Sequence, residues 1–200
     1  MRYLIFILVA VGLSCGGNNT LTSGHLLVSN QETDHWEIFS VNLESSLVAQ
    51  VTNGLGDDKD PNWSPDGKFM VVASTRLGDL ELFLLDSDGA EARQLTDNDY
   101  TDKQPAFSPD GNHIAFQSDR TGDVEIFAMN SDGTQVNQLT NNPGEDWNPS
   151  WSPDGKSIAF ASNRSGNWDI YAMSSDGTQV DQLTNNPGED WNPSWSPDGK

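Results

Sequence analysis

Short apolar runs alternate with turn-forming residues along most of the chain, and no segment keeps the 3.6-residue period of an amphipathic helix. Residues 149–184 show the pattern in full, and they predict four short strands at 149–152, 157–162, 169–173 and 179–184. Tight turns are predicted at Pro153-Asp154-Gly155 and at Ser175-Asp176-Gly177, because Pro fixes φ and Gly accepts a positive φ. The strand at 157–162 is apolar on both faces, which is typical of a strand covered by neighbouring sheets on both sides. We therefore expect an all-β fold with almost no helix.

This pattern repeats every 44 residues. An aromatic residue followed by Ser-Pro-Asp-Gly begins at Trp63, Phe107, Trp151 and Trp195. The spacing lies in the range of four-stranded propeller blades and outside that of tetratricopeptide or ankyrin units. The predicted repeats are 25–60, 61–104, 105–148 and 149–192, and residues 193–200 begin another.

The Ser-Pro-Asp-Gly turn, the I-A-F-x-S-x-R strand and the Ser-Asp-Gly turn before Q-L-T resemble the TolB-type, WD-like propeller repeat over residues 25–200. The resemblance implies four-stranded antiparallel blades and a periplasmic scaffold for protein interactions. The first unit begins with a second-strand sequence at 25–30 and lacks its own Ser-Pro-Asp-Gly. Members of this family commonly have six blades, so we expect four blade equivalents of a larger propeller. The alternative is a four-bladed ring in which residues 193–196 complete the first unit.

Acidic residues outnumber basic ones by thirty to ten, which gives a net charge of −20. Such a surface repels phosphate backbones and anionic lipid headgroups. We therefore expect no nucleic-acid partner and no peripheral binding to lipid headgroups.

The first residues resemble a bacterial lipoprotein signal. A basic start and an apolar run at 4–13, too short for a spanning helix of about 20 residues, precede the single cysteine, Cys15. We expect a signal peptide at 1–14 and a lipidated N-terminus with a polar tether at 15–24, so that only this anchor contacts the membrane. Gly12 and Ser14 leave an ordinary cleaved signal open. Either signal predicts export to the periplasm or the outer cell surface.

Catalytic and metal-binding motifs are missing from the sequence. His25, His35 and His113 lie far apart, and no nucleophile elbow, zinc-protease motif or phosphate loop occurs. The segment 86–89 (Asp-Ser-Asp-Gly) suggests calcium, but it lacks the further oxygen ligands of an EF-hand and is better explained as a hairpin turn. We expect no catalytic residues, no metal and no cofactor.

Residues that recur in every unit are predicted to be structural. The recurring arginines are expected to pair with loop carboxylates and to clamp adjacent blades, and the turn aspartates are expected to shape the turns. The arginines are Arg76, Arg120 and Arg164, and the turn aspartates are Asp66, Asp110, Asp154 and Asp198.

Function is expected where the repeats differ, which is in the loops between blades. These loops and the loops between second and third strands share one face of a propeller. The aromatic residues predicted to form a partner-binding face there are Trp36, Tyr100, Trp147, Trp168 and Trp191. Trp147 and Trp191 are alternatively explained as wedges between blades. We expect a non-enzymatic protein-binding module. The alternatives are the N-terminal propeller of a prolyl oligopeptidase-like hydrolase and a glycan-binding propeller.

Overall fold

A computed structural model describes residues 24–31, 34–54, 56–90 and 92–199. Cys15, the predicted signal peptide at 1–14 and all of the tether except residue 24 lie outside these ranges. The described residues contain no helix, and consequently none long and apolar enough to cross a membrane.

Strands in the described residues form four antiparallel sheets, each of which follows the chain as a meander. Sheet 1 contains β1 (His25–Asn30), β2 (Glu37–Asn42) and β3 (Val48–Gln50). Sheet 2 contains β4 (Asp58–Trp63), β5 (Phe69–Ser74), β6 (Glu81–Asp86) and β7 (Ala92–Gln94). Sheet 3 contains β8 (Asp102–Phe107), β9 (His113–Ser118), β10 (Glu125–Asn130) and β11 (Asn137–Gln138). Sheet 4 contains β12 (Asp146–Trp151), β13 (Ser157–Ser162), β14 (Asp169–Ser174) and β15 (Asp181–Gln182).

The predicted fold of antiparallel blades is confirmed, and the three described strands of sheet 1 align with the second, third and fourth strands of the other sheets. The first strand of sheet 4 begins at Asp146, three residues earlier than predicted, because the chain pairs with β13 on both sides of a bulge. Asn148 at this bulge has a φ of 57°. The next residue is Pro149, which has no N–H for the ladder, so the irregularity follows from the sequence.

Apolar cores lie between neighbouring sheets rather than inside any one of them. One core joins Val71 and Leu82 of sheet 2 to Ile114 and Phe127 of sheet 3, and similar cores join sheet 1 to sheet 2 and sheet 3 to sheet 4. The second strands β5, β9 and β13 are buried on both faces, as predicted. A sheet covered on both sides by its neighbours derives its stability from stacking.

The four sheets form an open arc in the described part of the chain. The first strand β8 contacts both β4 and β12, and the described strands of sheet 1 make no contact with those of sheet 4. Closure of a four-bladed ring through residues 193–196 is therefore wrong for this structure. The Trp195 indole N–H instead donates to the Ser150 carbonyl (3.1 Å), which holds this segment against sheet 4.

The Ser-Asp-Gly turns touch the preceding sheet closely. Gly133 has a φ of 84°, and a Cβ added to it would lie 2.9 Å from the Leu95 carbonyl oxygen. Gly89 and Gly177 meet Val51 and Leu139 in the same way. Glycine is required here both by backbone conformation and by the close approach of another sheet.

Candidate partner-binding face

Loops between sheets and loops between second and third strands lie on one face, as expected for a propeller. The N–H of Asp146, at the start of β12, donates to the Val124 carbonyl at the end of the preceding sheet's second-to-third-strand loop (2.7 Å). Asp102 and Leu80 make the same bond, as do Asp190 and Trp168. This face is called the loop face below.

Three of the five predicted aromatic residues come together on the loop face. The ring centroids of Trp147, Trp168 and Trp191 are 5.2, 5.6 and 4.1 Å apart, and the closest pair is Trp168 with Trp191. All three residues are partly exposed. These three residues are called the tryptophan cluster below.

The other two aromatic residues lie apart from the tryptophan cluster. The Lys59 ammonium lies 5.5 Å from the centre of the Trp36 ring. Tyr100 is 47% exposed, and its N–H donates to the Asn98 side chain (2.9 Å). Among the described residues, neither ring stacks on the cluster. The structure therefore supports a focused site around three indoles rather than a belt of five aromatic residues.

One position of the repeat holds lysine in two repeats and tryptophan in the next two. Lys59 and Lys103 in the first strands of sheets 2 and 3 correspond to Trp147 and Trp191 in the next two repeats. The Lys103 ammonium lies 5.3 Å from the centre of the Trp147 ring. The cluster thus continues a row in which side chains of successive repeats touch one another.

The indoles that wedge between sheets are those of the aromatic-Ser-Pro-Asp-Gly motif. The Trp151 N–H donates to the Ala106 carbonyl of sheet 3 (3.1 Å), and Trp151 also packs on the core between sheets 3 and 4. In contrast, the buried Trp147 Nε1 has no hydrogen-bond partner in the described part of the chain. A structural wedge therefore describes Trp151 better than it describes Trp147.

The recurring arginines bind carboxylates beneath the loop face. Arg76 contacts Asp58 at 2.9 Å, and the pairs Arg120–Asp102 and Arg164–Asp146 repeat this contact at 2.7 and 2.8 Å. Each guanidinium also lies over one or two aromatic rings, as Arg120 does over Phe116 and Phe127. The expectation that these pairs directly clamp adjacent blades is wrong. Both partners belong to one sheet, because the aspartate begins its first strand and the arginine follows its second.

Adjacent sheets are linked instead by a buried acidic network that we did not predict. Glu81 of sheet 2 accepts the Thr96 hydroxyl and the Asn98 N–H, the latter at 2.6 Å. The Asn98 side chain then donates to Asp102 of sheet 3 (2.9 Å), which binds Arg120. Glu125, Thr140, Asn142 and Asp146 repeat the network between sheets 3 and 4.

The glutamates of this network hold their protons unusually tightly. Burial raises the pKa of Glu125 to about 7, the Thr140 and Asn142 hydrogen bonds oppose the rise, and the neighbouring Asp146 carboxyl group adds to it. The pKa of Glu81 rises to about 6, mainly through burial. Recurrence of Glu37, Glu81 and Glu125 at 44-residue spacing was the signal that could have revealed the network.

The turn aspartates lie on the opposite face and shape the turns. Asp66, Asp110, Asp154 and Asp198 each accept the hydroxyl of the serine two residues earlier, at 2.7, 2.5, 2.7 and 2.8 Å. Hydrogen bonds, first from the Lys68 side chain, lower the pKa of Asp66 to about 2. Serine and backbone hydrogen bonds lower the pKa of Asp110 and Asp154 as well.

Polar residues with a positive φ occupy the bulges of the first strands and the equivalent position after sheet 4. Asp60, Gln104, Asn148 and Asn192 are equivalent in the repeat and have φ values of 51°, 51°, 57° and 53°. Asn148 and Asn192 are hydrogen-bonded through their side chains, and burial raises the pKa of Asp60. Their recurrence marks this row as part of the repeat architecture.

Titratable residues form no recognisable reactive centre in the part of the chain that the structure describes. No three His, Cys, Asp or Glu residues are grouped there to hold a metal ion. His25 bonds Ser40 and Asn42, and the His113 ring lies beside Trp151. In segment 86–89, for which a hairpin turn was preferred to a calcium loop, the Gly89 N–H donates to the Asp86 carbonyl (2.9 Å), which is a turn contact.

The fold is similar to that of several solved structures. The putative TolB from Agrobacterium tumefaciens has a TM-score of 0.78 and 28% identity, over 89% of this chain and 69% of that chain. TolB from Acinetobacter baumannii has a TM-score of 0.77 and 25% identity, over 85% of this chain and 43% of that chain. A puromycin-hydrolyzing peptidase from Mycobacterium tuberculosis has a TM-score of 0.62 and 15% identity, over 80% of this chain and 26% of that chain, which shows the fold alone.

The sequence places the chain in a family. No curated protein sequence matches it significantly. The family model described as TolB beta propeller domain matches residues 97–200, just over half of the chain. The aromatic-Ser-Pro-Asp-Gly turns, the stacked antiparallel sheets and this match agree, and the chain belongs to the TolB β-propeller family.

Proposed function

We propose that this chain is a non-enzymatic propeller of the bacterial cell envelope that binds a protein partner through its loop face. The observation that carries the proposal is the tryptophan cluster, in which three partly exposed indoles from sheet 4 and the segment after it meet. Indole rings with a polar rim are typical of the residues that dominate binding energy at protein interfaces. Membership of the TolB family supports the same kind of role, by analogy.

The N-terminal sequence supports an envelope location. Residues 1–14 resemble an export signal, and Cys15 stands where a lipoprotein would carry its lipid. A lipid anchor there would tether the propeller to the membrane surface. Fractionation of cells that express the full chain checks this part, and recovery in the cytosol would contradict it.

Capture of partners from an envelope fraction tests the binding proposal. The triple variant Trp147→Leu, Trp168→Leu, Trp191→Leu should lose the partner that the unchanged protein cross-links. A control, Phe69→Leu, removes an aromatic residue that is 40% exposed on the opposite face. Equal capture by the unchanged protein and the triple variant would refute binding through the loop face.

The alternatives have less support. The likeness to the mycobacterial peptidase extends to the fold only, so it does not favour a hydrolase. Glycan binding uses exposed indoles too, and it is therefore kept as a competing outcome in the experiment below.

A further inference from the structure

Two indoles of the loop face already carry a cation from the chain itself. The Lys59 ammonium lies over Trp36 and the Lys103 ammonium over Trp147, at 5.5 and 5.3 Å from the ring centres. An ammonium within about 6 Å of an indole centre is attracted by the negative face of the ring. These contacts show what kind of group the rings of this face accept.

The repeat shows where such a cation is missing. Trp168 occupies the repeat position of Trp36, and Trp191 occupies the position of Lys59. Where Trp36 has a lysine, Trp168 therefore has a second indole, 4.1 Å away. Within the described ranges, no ammonium or guanidinium lies over Trp168 or Trp191.

Charge around the cluster favours a cationic ligand. Glu189 and Asp190 directly precede Trp191, and Glu145 directly precedes Asp146 and Trp147. The whole chain carries a net charge of −20. A partly desolvated indole surface on a strongly acidic chain attracts lysine and arginine and repels acidic segments.

From these observations we propose that the tryptophan cluster binds a lysine or arginine side chain presented by the partner protein. This inference rests on the proposed function and names the chemistry of its partner. The bound cation would lie within about 6 Å of the Trp168 or Trp191 ring centre, the range of the cation–π contact that Lys59 makes with Trp36.

Titration with defined peptides tests this inference. The probes are hexalysine, hexaarginine, fully acetylated hexalysine and the neutral sugar cellohexaose. Binding of each probe to the full chain is measured by calorimetry. Hexalysine and hexaarginine should bind, whereas the acetylated peptide and the sugar should not. Trp168→Leu and Trp191→Leu, which leave the net charge unchanged, should each weaken hexalysine binding roughly tenfold. Trp36→Leu is the matched control, because Lys59 already covers that ring.

A second pair of variants separates the site from bulk electrostatics. Lys103→Met uncovers the Trp147 ring and should tighten hexalysine binding several-fold. Lys156→Met makes the same charge change at a lysine on the opposite face, whose side chain is 82% exposed. It should tighten hexalysine binding less than Lys103→Met does. Trp191→Lys restores the residue found at positions 59 and 103, so the fold should accept it. The ammonium of the introduced lysine should then fill the cation site.

The outcomes distinguish this inference from the proposed function. Hexalysine binding that is equally affected by all three tryptophan variants, or by none, overturns the inference. Binding of cellohexaose at the cluster overturns it in favour of a glycan ligand. If the triple variant loses the envelope partner while hexalysine binding is insensitive to the cluster, the proposed function stands and only the cationic chemistry falls. If partner capture is insensitive to the cluster, both fall.

Discussion

The buried network beneath the loop face keeps the same residues from repeat to repeat, whereas the loop face does not. Beneath the face, threonine at 52, 96 and 140 and arginine at 76, 120 and 164 return unchanged. On the face, lysine at 59 and 103 gives way to tryptophan at 147 and 191. A buried carboxylate without its partners is costly, so the lower layer is constrained in each sheet. The exposed positions are free of that constraint, and binding specificity is expected there.

Sheet 4 shows how far the buried layer itself can vary. Asp169 replaces the glutamate of the other sheets and is one methylene shorter. The threonine hydroxyl reaches it at 3.5 Å, compared with 2.6 Å at Glu125. Gln182 and Ser165 then donate to Asp169 (both 3.0 Å). In sheet 4 the shorter acid is thus accompanied by two donors that make up for the longer threonine contact.

Removing an arginine from the buried layer should have the largest effect on stability. Asp102 is fully buried, and Arg120→Met would leave its carboxylate without the guanidinium 2.7 Å away. Breaking a buried pair on one side typically costs about 3–5 kcal/mol. Urea unfolding followed by tryptophan fluorescence should show a loss of that size.

Arg93→Met is the matched control for Arg120→Met, because it makes the same charge change at an exposed residue of β7. Arg93 donates to the Ser131 carbonyl at 3.3 Å and interacts electrostatically with the exposed Asp132, so its loss should be within about 0.5 kcal/mol. Similar losses in the two variants would show that the buried layer is not what sets the stability of the arc.

The Ser-Asp-Gly turn offers a second way to separate architecture from binding. Gly133→Ala forces a Cβ to 2.9 Å from the Leu95 carbonyl oxygen at a φ of 84°. We expect a loss of about 2–3 kcal/mol from strain and overpacking together. Gly67 has a φ of 70° and open space around an added Cβ. Gly67→Ala therefore measures the loss of stability that comes from backbone strain alone. Equal losses would mean that the contact with the preceding sheet contributes nothing.

The repeat made most of the fold predictable. The strand at 157–162 has the predicted bounds, because Pro153-Asp154-Gly155 and the polar residues after Ser162 delimit it. The first strand of sheet 4 was placed too late, because Pro149 looks like a boundary when it is a bulge inside the strand. Local punctuation predicts where strands lie, but it does not predict pairing that resumes beyond a bulge.

The site was predictable only in part. Sequence variation pointed to the indoles, but only the structure showed that Trp147, Trp168 and Trp191 meet while Trp36 and Tyr100 lie apart. The buried network escaped prediction because an acid at a strand end normally faces solvent. Here the next sheet covers it, and that packing depends on blade geometry.

The smallest of the expected stability effects is a pH dependence to which the glutamates of the buried network contribute. The folded chain raises the pKa of Glu125 to about 7 and that of Glu81 to about 6, whereas the ordinary value is 4.5. Between these limits the folded state binds more protons than the unfolded state, so the free energy of unfolding falls as the pH rises. The lowered pKa of Asp110 acts with the opposite sign and below its ordinary value of 3.8, so the two windows do not overlap.

Glu125→Gln should remove much of this pH dependence, because the amide copies the protonated carboxyl group. Thr140 and Asn142 donate to different oxygens of Glu125, so the amide oxygen can keep the bond from the Asn142 N–H while the NH₂ group takes the place of the oxygen that Thr140 contacts. Comparing urea midpoints at about pH 5 and about pH 7.5, we expect the unchanged protein to lose about 1–2 kcal/mol and the variant to lose less. Glu44→Gln, at an exposed loop residue, should leave the slope unchanged. If Glu125→Gln also leaves it unchanged, then Glu125 is ionised in the folded protein, and sheets 3 and 4 hold two buried negative charges side by side against the single charge of Arg164.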